Sequence, residues 1–228
     1  MYLAETHCLL PNTHFGGLPG RSTTDSLHLL VDTVKVAWQC KQVVVALFLD
    51  IEGAFPNAVT EQLLYNLQAC CIPEVYVTFI KNMLTGHCNR LKFDDYMSDW
   101  FELDNGIVQG DPLSMILYLF YNADMLDIAH GRHKLCLGYV DDMVLIASAD
   151  TFKNAHRMLG NMMSRPGGSL QWAAEHNSKF ETSKSVLIDF SRAKGVGRPD
   201  MSLQGSLIKP STSHKFLGVQ LDQELHWK

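Results

Sequence analysis

No stretch of the sequence sustains the ~18 apolar residues that a membrane-spanning helix requires. The opening residues, MYLAETHCLLPNTHFGG, also lack the basic-then-apolar order of a secretory signal. Six cysteines are present (Cys8, Cys40, Cys70, Cys71, Cys88, Cys136), yet no two form a C-x-x-C pair, and Cys136 sits inside an apolar run. That usage points away from a disulfide scaffold or a zinc module and towards a reduced, intracellular protein. The ten histidines show neither H-x-x-x-H nor H-E-x-x-H spacing, which argues against catalytic zinc. Ser114 has no base near it in sequence, and nothing else suggests acyl transfer. Positive charge is short as well. The net charge is −5, divided as −8 over the first 178 residues and +3 from Lys179 onward. A nucleic-acid binder is usually basic overall, so the balance weighs against that class unless other segments supply the basic surface.

What is present suits a globular α+β domain. Apolar residues make up 46% and charged residues 19% of 228 positions, enough for a sizeable core. VVVALFL (43–49) is a continuous β-branched run of the kind that forms a strand buried on both faces. Helical spacing follows from Ala58 to about Cys70, and a second helix starts at Pro73 and stops at Gly86. NRLKFDDYMSDWFEL reads as a hairpin turned at Asp94-Asp95. GIVQGDPLS (106–114) is a loop in which Asp111 caps a helix and Pro112 opens it, and that helix is expected to run unbroken to His130. Leu135 to Tyr139 and Met143 to Ser148 form another hairpin. An amphipathic helix begins near Asp150, RPGG breaks it, and a further helix and the strand KSVLIDF (184–190) follow. SRAKGVGRPD is a loop, and KFLGVQLD (215–222) is a last strand, expected to pair with the stretch near Leu203 to Ile208. The order predicts one antiparallel sheet with helices on one face.

Two features stand out chemically. Asp50 ends the buried strand 43–49, and Asp141-Asp142 occupy a hairpin turn that has no glycine at its centre. Aspartate is at home in turns, so each feature taken separately needs no function. If the strands are neighbours, however, three carboxylates meet, and like charges raise one another's pKa. A divalent cation removes that conflict. Carboxylate oxygens suit Mg²⁺, and two such ions ~3.5–4 Å apart can clamp the attacking and leaving oxygens of a phosphoryl transfer.

LFLDIEGAF, GIVQGDPLSMILYLFYNADML and YVDDMVLIAS resemble the three palm motifs of reverse transcriptases. HFGGLPGRSTTDSLHLL upstream and KFLGVQLD downstream are similar to flanking motifs of the non-LTR, LINE-type retrotransposon enzymes, and the resemblance runs from about Phe15 to Trp227. It implies a polymerase palm, with residues 1–42 as partial fingers, 43–190 as palm with inserted segments, 191–228 as the end of the palm with a primer-grip-like hairpin, and no thumb. It implies RNA-directed DNA polymerisation: a primer 3′-hydroxyl attacks the α-phosphate of a dNTP on an RNA template. The partners are then an RNA template, a DNA primer and dNTPs, with no membrane. The cofactor is two Mg²⁺ ions, with Mn²⁺ as an alternative, and an active retrotransposon protein would work in the nucleus.

The resemblance also implies roles. Asp50 and Asp141 would hold the metals, with Asp142 supporting them and the Ile51 carbonyl as a further ligand. Phe55 matches the bulky residue under the sugar that excludes a 2′-hydroxyl, although any Phe is by default a core residue. Gln109 and Gly110 match the loop that touches nucleotide and template, although Gly110 also suits an ordinary turn. Lys184 matches a lysine that protonates leaving pyrophosphate; a solvated strand-edge lysine is the equal alternative. Phe216, Leu217 and Gly218 match the primer-gripping hairpin, or a plain core strand. Arg21 sits before Ser22-Thr23-Thr24, where it can meet a phosphate or pair with Asp25. Family members often carry Pro, Ser and Pro where this chain has Val108, Asp111 and Met115, and an extra carboxylate near a triphosphate costs affinity. An RNA-dependent RNA polymerase and a non-catalytic RNA- or protein-binding fragment stand as alternatives. The segment is expected to keep the site's geometry yet polymerise poorly by itself.

Overall fold

A computed structural model describes residues 6–181, 183–193, 197–203 and 205–226. Residues 194–196 of the expected loop SRAKGVGRPD therefore lie outside the described residues. The architecture is built on a four-stranded antiparallel sheet in the order β6-β7-β1-β8, formed by Lys134–Tyr139, Asp142–Ala149, Val43–Leu49 and Val186–Phe190. β1 has the bounds its apolar run predicts, and every one of its residues is buried.

That double burial defines the two halves of the core. Val43, Val45, Leu47 and Leu49 face a large cluster made with α2 (Thr60–Ala69), α3 (Glu74–Leu84), α4 (Pro112–Tyr121), α5 (Ala123–Leu126), α6 (Phe152–Ser164) and α7 (Ser169–Glu175). Val44, Ala46 and Phe48 face a second cluster with Leu30, Val31, Val34 and Ala37 of α1 (Thr23–Gln39), together with Phe216 and Leu221. The expectation of helices on one face is thus corrected. A strand apolar on both sides needs cover on both, and α1 supplies it on the second. α1 starts with a capping box in which the Ser22 side chain accepts from the Asp25 N–H while the Asp25 carboxylate accepts from Ser22.

Two further readings are corrected. The single helix expected to reach His130 is divided at Asn122, whose backbone leaves the helix (φ −106°, ψ 8°). A distant side chain caps the break: Asn66 donates to the carbonyls of Phe120 and Tyr121, both at 3.1 Å, and so satisfies helix-end acceptors. KFLGVQLD is not one strand. It belongs to a hairpin of β11 (Ser213–Phe216) and β12 (Val219–Asp222), turned by Leu217 and Gly218 at φ +47° and +87°. The stretch near Leu203 pairs with itself instead, as β9 (Met201–Leu203) against β10 (Ser206–Ile208).

Residues 87–103 form the expected hairpin turned at Asp94-Asp95, with β3 (Lys92–Phe93) against β4 (Tyr96–Met97) and an outer pair of β2 (His87–Asn89) and β5 (Phe101–Leu103). Phe93, Tyr96 and Trp100 are exposed on it. The outer margins of the main sheet carry short parallel additions. His14 bridges to Gly138 of β6, and Ser211 bridges to Ile188 of β8.

Two glycines near α6 have opposite roles. A Cβ on Gly168 would lie 2.5–2.9 Å from the carbonyl oxygens of Met162, Met163 and Arg165, whereas one on Gly160, inside the helix, meets nothing within 4 Å. Gly168→Ala is expected to cost about 1–3 kcal/mol through overpacking. Gly160→Ala is expected to add about 0.5–1 kcal/mol through helix propensity. Urea unfolding at constant m-value checks both, and equal effects from the two substitutions would contradict the packing described.

Candidate active site

The strand register gathers the acidic residues. β1 pairs with β7 such that Leu49 lies opposite Met143, and with β8 such that Phe48 lies opposite Val186. Continued beyond the ends of the ladders, these registers set Asp50 between Asp142 on one side and Lys184 on the other. Asp50 lies more than ninety residues from either of them in sequence, and the antiparallel sheet returns all three to one margin. The Lys184 ammonium donates to Asp50 Oδ2 at 2.9 Å, across a largely exposed pair.

The electrostatics record the crowding. Partial burial of the carboxyl, then the charges of Asp141 and Asp50, push the Asp142 pKa up to about 6. Asp141 is raised for the same reasons, burial first and the charge of Asp50 after it. Lys184 is raised, chiefly by its hydrogen bond to Asp50. All three aspartates therefore sit within electrostatic reach of one another, as the motif spacing predicts.

The turn that carries Asp141 is strained. Tyr139 pairs with Asp142, so Val140 and Asp141 form the two-residue connection, and Val140 adopts φ +59°. A β-branched residue in the left-handed region costs about 1–2 kcal/mol, and such conformations persist where surrounding contacts over-determine them.

Asp50, Asp142 and Lys184 line a cavity of about 230 Å³ together with Phe48, Met143 and the 214–217 end of the β11–β12 hairpin. Phe216 is buried and packs on Phe48 at 5.2 Å between ring centroids, and Leu217 lines the cavity. The positive φ of Gly218 makes the turn possible. Carboxylates, an ammonium and a hairpin tip thus converge on one opening.

Phe55 and the 106–110 loop form a second group. The Ile107 N–H donates to the Phe55 carbonyl at 2.9 Å and the Gly106 N–H to the Ala58 carbonyl at 2.9 Å, so the two loops are tied together. Gln109 is exposed and lines a cavity of about 660 Å³ beside Pro56. Gly110 has φ +95° with open space where a side chain would stand. Asp111 caps α4 by accepting from the Leu113 N–H at 2.8 Å, with Pro112 as the first helical residue, as its sequence predicts.

Tyr118 joins the two groups, and sequence reasoning misses it because it reads as one more apolar position of a central helix. Its ring stacks on Phe55 at 4.8 Å. Its hydroxyl is buried without a hydrogen-bond partner among the described residues, and its pKa is raised by burial first and by the charge of Asp141 second. Arg21 stands apart. Its Nη1 donates to the carbonyls of Asn12 and His14 at 2.6 and 2.7 Å, so it braces a loop. Among the described residues it pairs with no carboxylate, and Asp25 is engaged by Ser22.

The donor set fits a divalent cation. The carboxylate oxygens are hard ligands, and their mutual repulsion is relieved by positive charge. Among the described residues no group of three or more His, Cys, Asp or Glu side chains is gathered as a complete metal cage. An ion here would hold one or two carboxylates and fill its shell with backbone, water or phosphate oxygens, which is the ordinary habit of Mg²⁺. Among the described residues no helix is long and apolar enough to cross a membrane.

Comparison with known proteins agrees with this arrangement. The family model for reverse transcriptase (RNA-dependent DNA polymerase) matches residues 2–221. The chain is 27% identical over 221 residues to the RNA-directed DNA polymerase from mobile element jockey of Drosophila melanogaster, covering 95% of this chain and 24% of that protein. It is 25% identical over 225 residues to the probable RNA-directed DNA polymerase from transposon X-element of the same organism, covering 98% and 24%. The chain thus spans about a quarter of the length of these curated relatives. Among solved structures it resembles apo telomerase from Candida tropicalis truncated from the C-terminal domain, with TM-score 0.68, 13% identity, and 100% of this chain and 42% of that one covered. Telomerase from the same organism in complex with a TWJ fragment of telomeric RNA gives TM-score 0.69 at 13% identity, with 100% and 35% covered. These likenesses establish the polymerase palm fold.

The raised pKa of Asp142 has a consequence for stability. The folded state holds this proton up to about pH 6, against 3.8 for an ordinary aspartate. The group's stabilising contribution is therefore complete below pH 4 and is lost as pH rises through 6. In chelator-treated buffer the parent should lose melting temperature over that interval relative to Asp142→Asn. A constant difference between the two proteins would remove the crowding argument.

Proposed function

Since the chain belongs to the reverse transcriptase (RNA-dependent DNA polymerase) family, of the non-LTR retrotransposon kind, we propose that it carries the catalytic palm for RNA-directed DNA synthesis, adding dNTPs to a primer 3′-hydroxyl on an RNA template. The observation that carries this reading is the convergence of Asp50, Asp141 and Asp142 at one margin of the sheet, where burial first and their mutual charges after it raise the pKa of Asp141 and Asp142.

In this reading Asp50 and Asp141 hold the cations with the Ile51 carbonyl, and Asp142 supports them. The bridge between Ile51 and Phe180 leaves that carbonyl unused, because its hydrogen bonds run from the Glu52 N–H to Lys179 and from the Glu181 N–H to the Asp50 carbonyl. Bound Mg²⁺ would supply charge neutralisation on the phosphates and activation of the primer hydroxyl. Phe55, backed by Tyr118, closes the floor against a 2′-hydroxyl. Gln109 and Gly110 present side chain and open backbone to the nucleotide and template. Phe216, Leu217 and Gly218 set the primer end beside the aspartates.

Lys184 has two uses at one place. Without a cation its ammonium balances the Asp50 carboxylate, and with substrate present the same exposed group is free to turn to the leaving pyrophosphate as proton donor. The net charge of −5 supplies little phosphate neutralisation. Extension by this segment alone is accordingly expected to be slow.

Calorimetric titration with Mg²⁺ or Mn²⁺ tests the metal assignment. Asp141→Asn should bind the ion ~10-fold or more weakly than the parent, and an unchanged affinity would refute it. Sugar choice tests Phe55 separately. In single-nucleotide primer extension, Phe55→Ala should raise NTP use relative to dNTP use. A preserved ratio would return Phe55 to the core.

A further inference from the structure

Outside the residues assigned above, the structure holds a buried polar relay that ends on the strained turn. Residues 13–15 lie along β6 as a short parallel addition, with the Gly138 N–H donating to Thr13 and the Phe15 N–H donating to Gly138. This places His14, which is fully buried, against Asn122, which is fully buried too. His14 Nε2 lies 2.9 Å from Asn122 Oδ1, and Asn122 Nδ2 donates to the Val140 carbonyl at 2.6 Å. The protons follow from these contacts. A carbonyl only accepts, so the amide nitrogen of Asn122 must face Val140 and its oxygen must face His14. His14 is then the Nε2–H tautomer. Its Nδ1 is buried without a partner among the described residues, and burial lowers its pKa to about 4, so the ring stays neutral.

Gly16 completes the seat. A Cβ there would lie 2.5 Å from Val140 Cγ2 and 2.7 Å from the Val140 nitrogen, so only a glycine lets this loop close on the turn. Arg21 in turn holds the loop by donating to the carbonyls of Asn12 and His14. The arrangement explains why Arg21, open in the sequence to a phosphate or to Asp25, is engaged by the loop instead. It also explains how valine keeps φ +59° where glycine would be the ordinary choice.

We propose that Asn122 and His14 are positioning residues for the Val140–Asp141 turn, a relay from the N-terminal loop that fixes the Asp141 carboxylate for a divalent cation. The inference rests on the metal-binding reading above. It adds that the affinity of the site is set by a helix break and a loop more than a hundred residues away from each other in sequence. Groups that orient a metal-binding side chain without touching the ion commonly control its affinity.

The test is Mn²⁺ titration by calorimetry with melting temperature measured in parallel. Asn122→Ala should lose ~10-fold or more in Mn²⁺ affinity. His156→Ala is the control: it removes a buried polar contact away from the turn, Nε2 to Asp189 Oδ1 at 2.8 Å, and should lower the melting temperature without moving Mn²⁺ affinity. His14→Gln, which keeps a donor, should stay near the parent, while His14→Leu should weaken binding as Asn122→Ala does. If Asn122→Ala does not fold, the two His14 variants decide alone. Equal Mn²⁺ affinity in the parent and in folded Asn122→Ala or His14→Leu overturns the relay, and so does an equal loss in His156→Ala. An unchanged affinity in Asp141→Asn overturns instead the metal reading beneath it.

Discussion

Repulsion among carboxylates held close together is the constraint that organises this molecule. Asp141 in the turn and Asp142 at the head of β7 are adjacent, and the sheet carries Asp50 to them. Nothing in the fold's own interest calls for that. Burial first and the neighbouring carboxylates after it raise the pKa of Asp141 and Asp142, an ammonium lies on Asp50, and a valine is held in a conformation it disfavours. The surroundings are rigid where the charges are dense. β1 is buried along its whole length, and the turn is closed from below by Asn122 and from the side by Gly16. Strain and charge collected at one point, with packing concentrated around it, is the pattern expected of a site built for a cation.

The sheet accounts for the rest of the geometry. An antiparallel order β6-β7-β1-β8 puts the end of β1, the start of β7 and the approach to β8 on one margin. Loops leaving that margin are free to carry function, while the opposite faces are devoted to packing. The helices on one side hold Phe55 and the 106–110 loop through Tyr118 and two backbone hydrogen bonds. The other side holds α1 and the β11–β12 hairpin, whose Phe216 rests on Phe48 two residues before Asp50. Each half of the site therefore belongs to one of the two cores, and β1 is the wall they share.

Features encoded by local pattern were legible in the sequence. The unbroken apolar run set both ends of β1, the Asp-Pro pair set the start of α4, and the apolar runs on either side of the turn set the hairpin that presents Asp141. Features that depend on partners far along the chain were not. The break at Asn122 is capped by Asn66, and the engagement of Arg21 rests on Asn12 and His14. A left-handed leucine at 217 turned an expected strand into a hairpin, and leucine gives no signal for that conformation. Within the site, the three aspartates and Lys184 stand out in the motif spacing, since Asp50 follows an apolar strand, Asp141 and Asp142 stand between two, and Lys184 precedes another. Tyr118 was invisible: an aromatic in an apolar helix carries no mark of which neighbour its hydroxyl will meet.

The short parallel additions at the two margins of the main sheet have a bearing on assembly. An uncovered outer strand offers a row of unpaired amides that recruits foreign strands and seeds aggregation. Here the 13–15 segment sits along β6 and Ser211 sits along β8, so part of each flank is occupied by the chain itself. The sheet is thereby steered away from growing sideways into a neighbour. The loop-bearing end is left as the margin where sequence can vary without unzipping the scaffold.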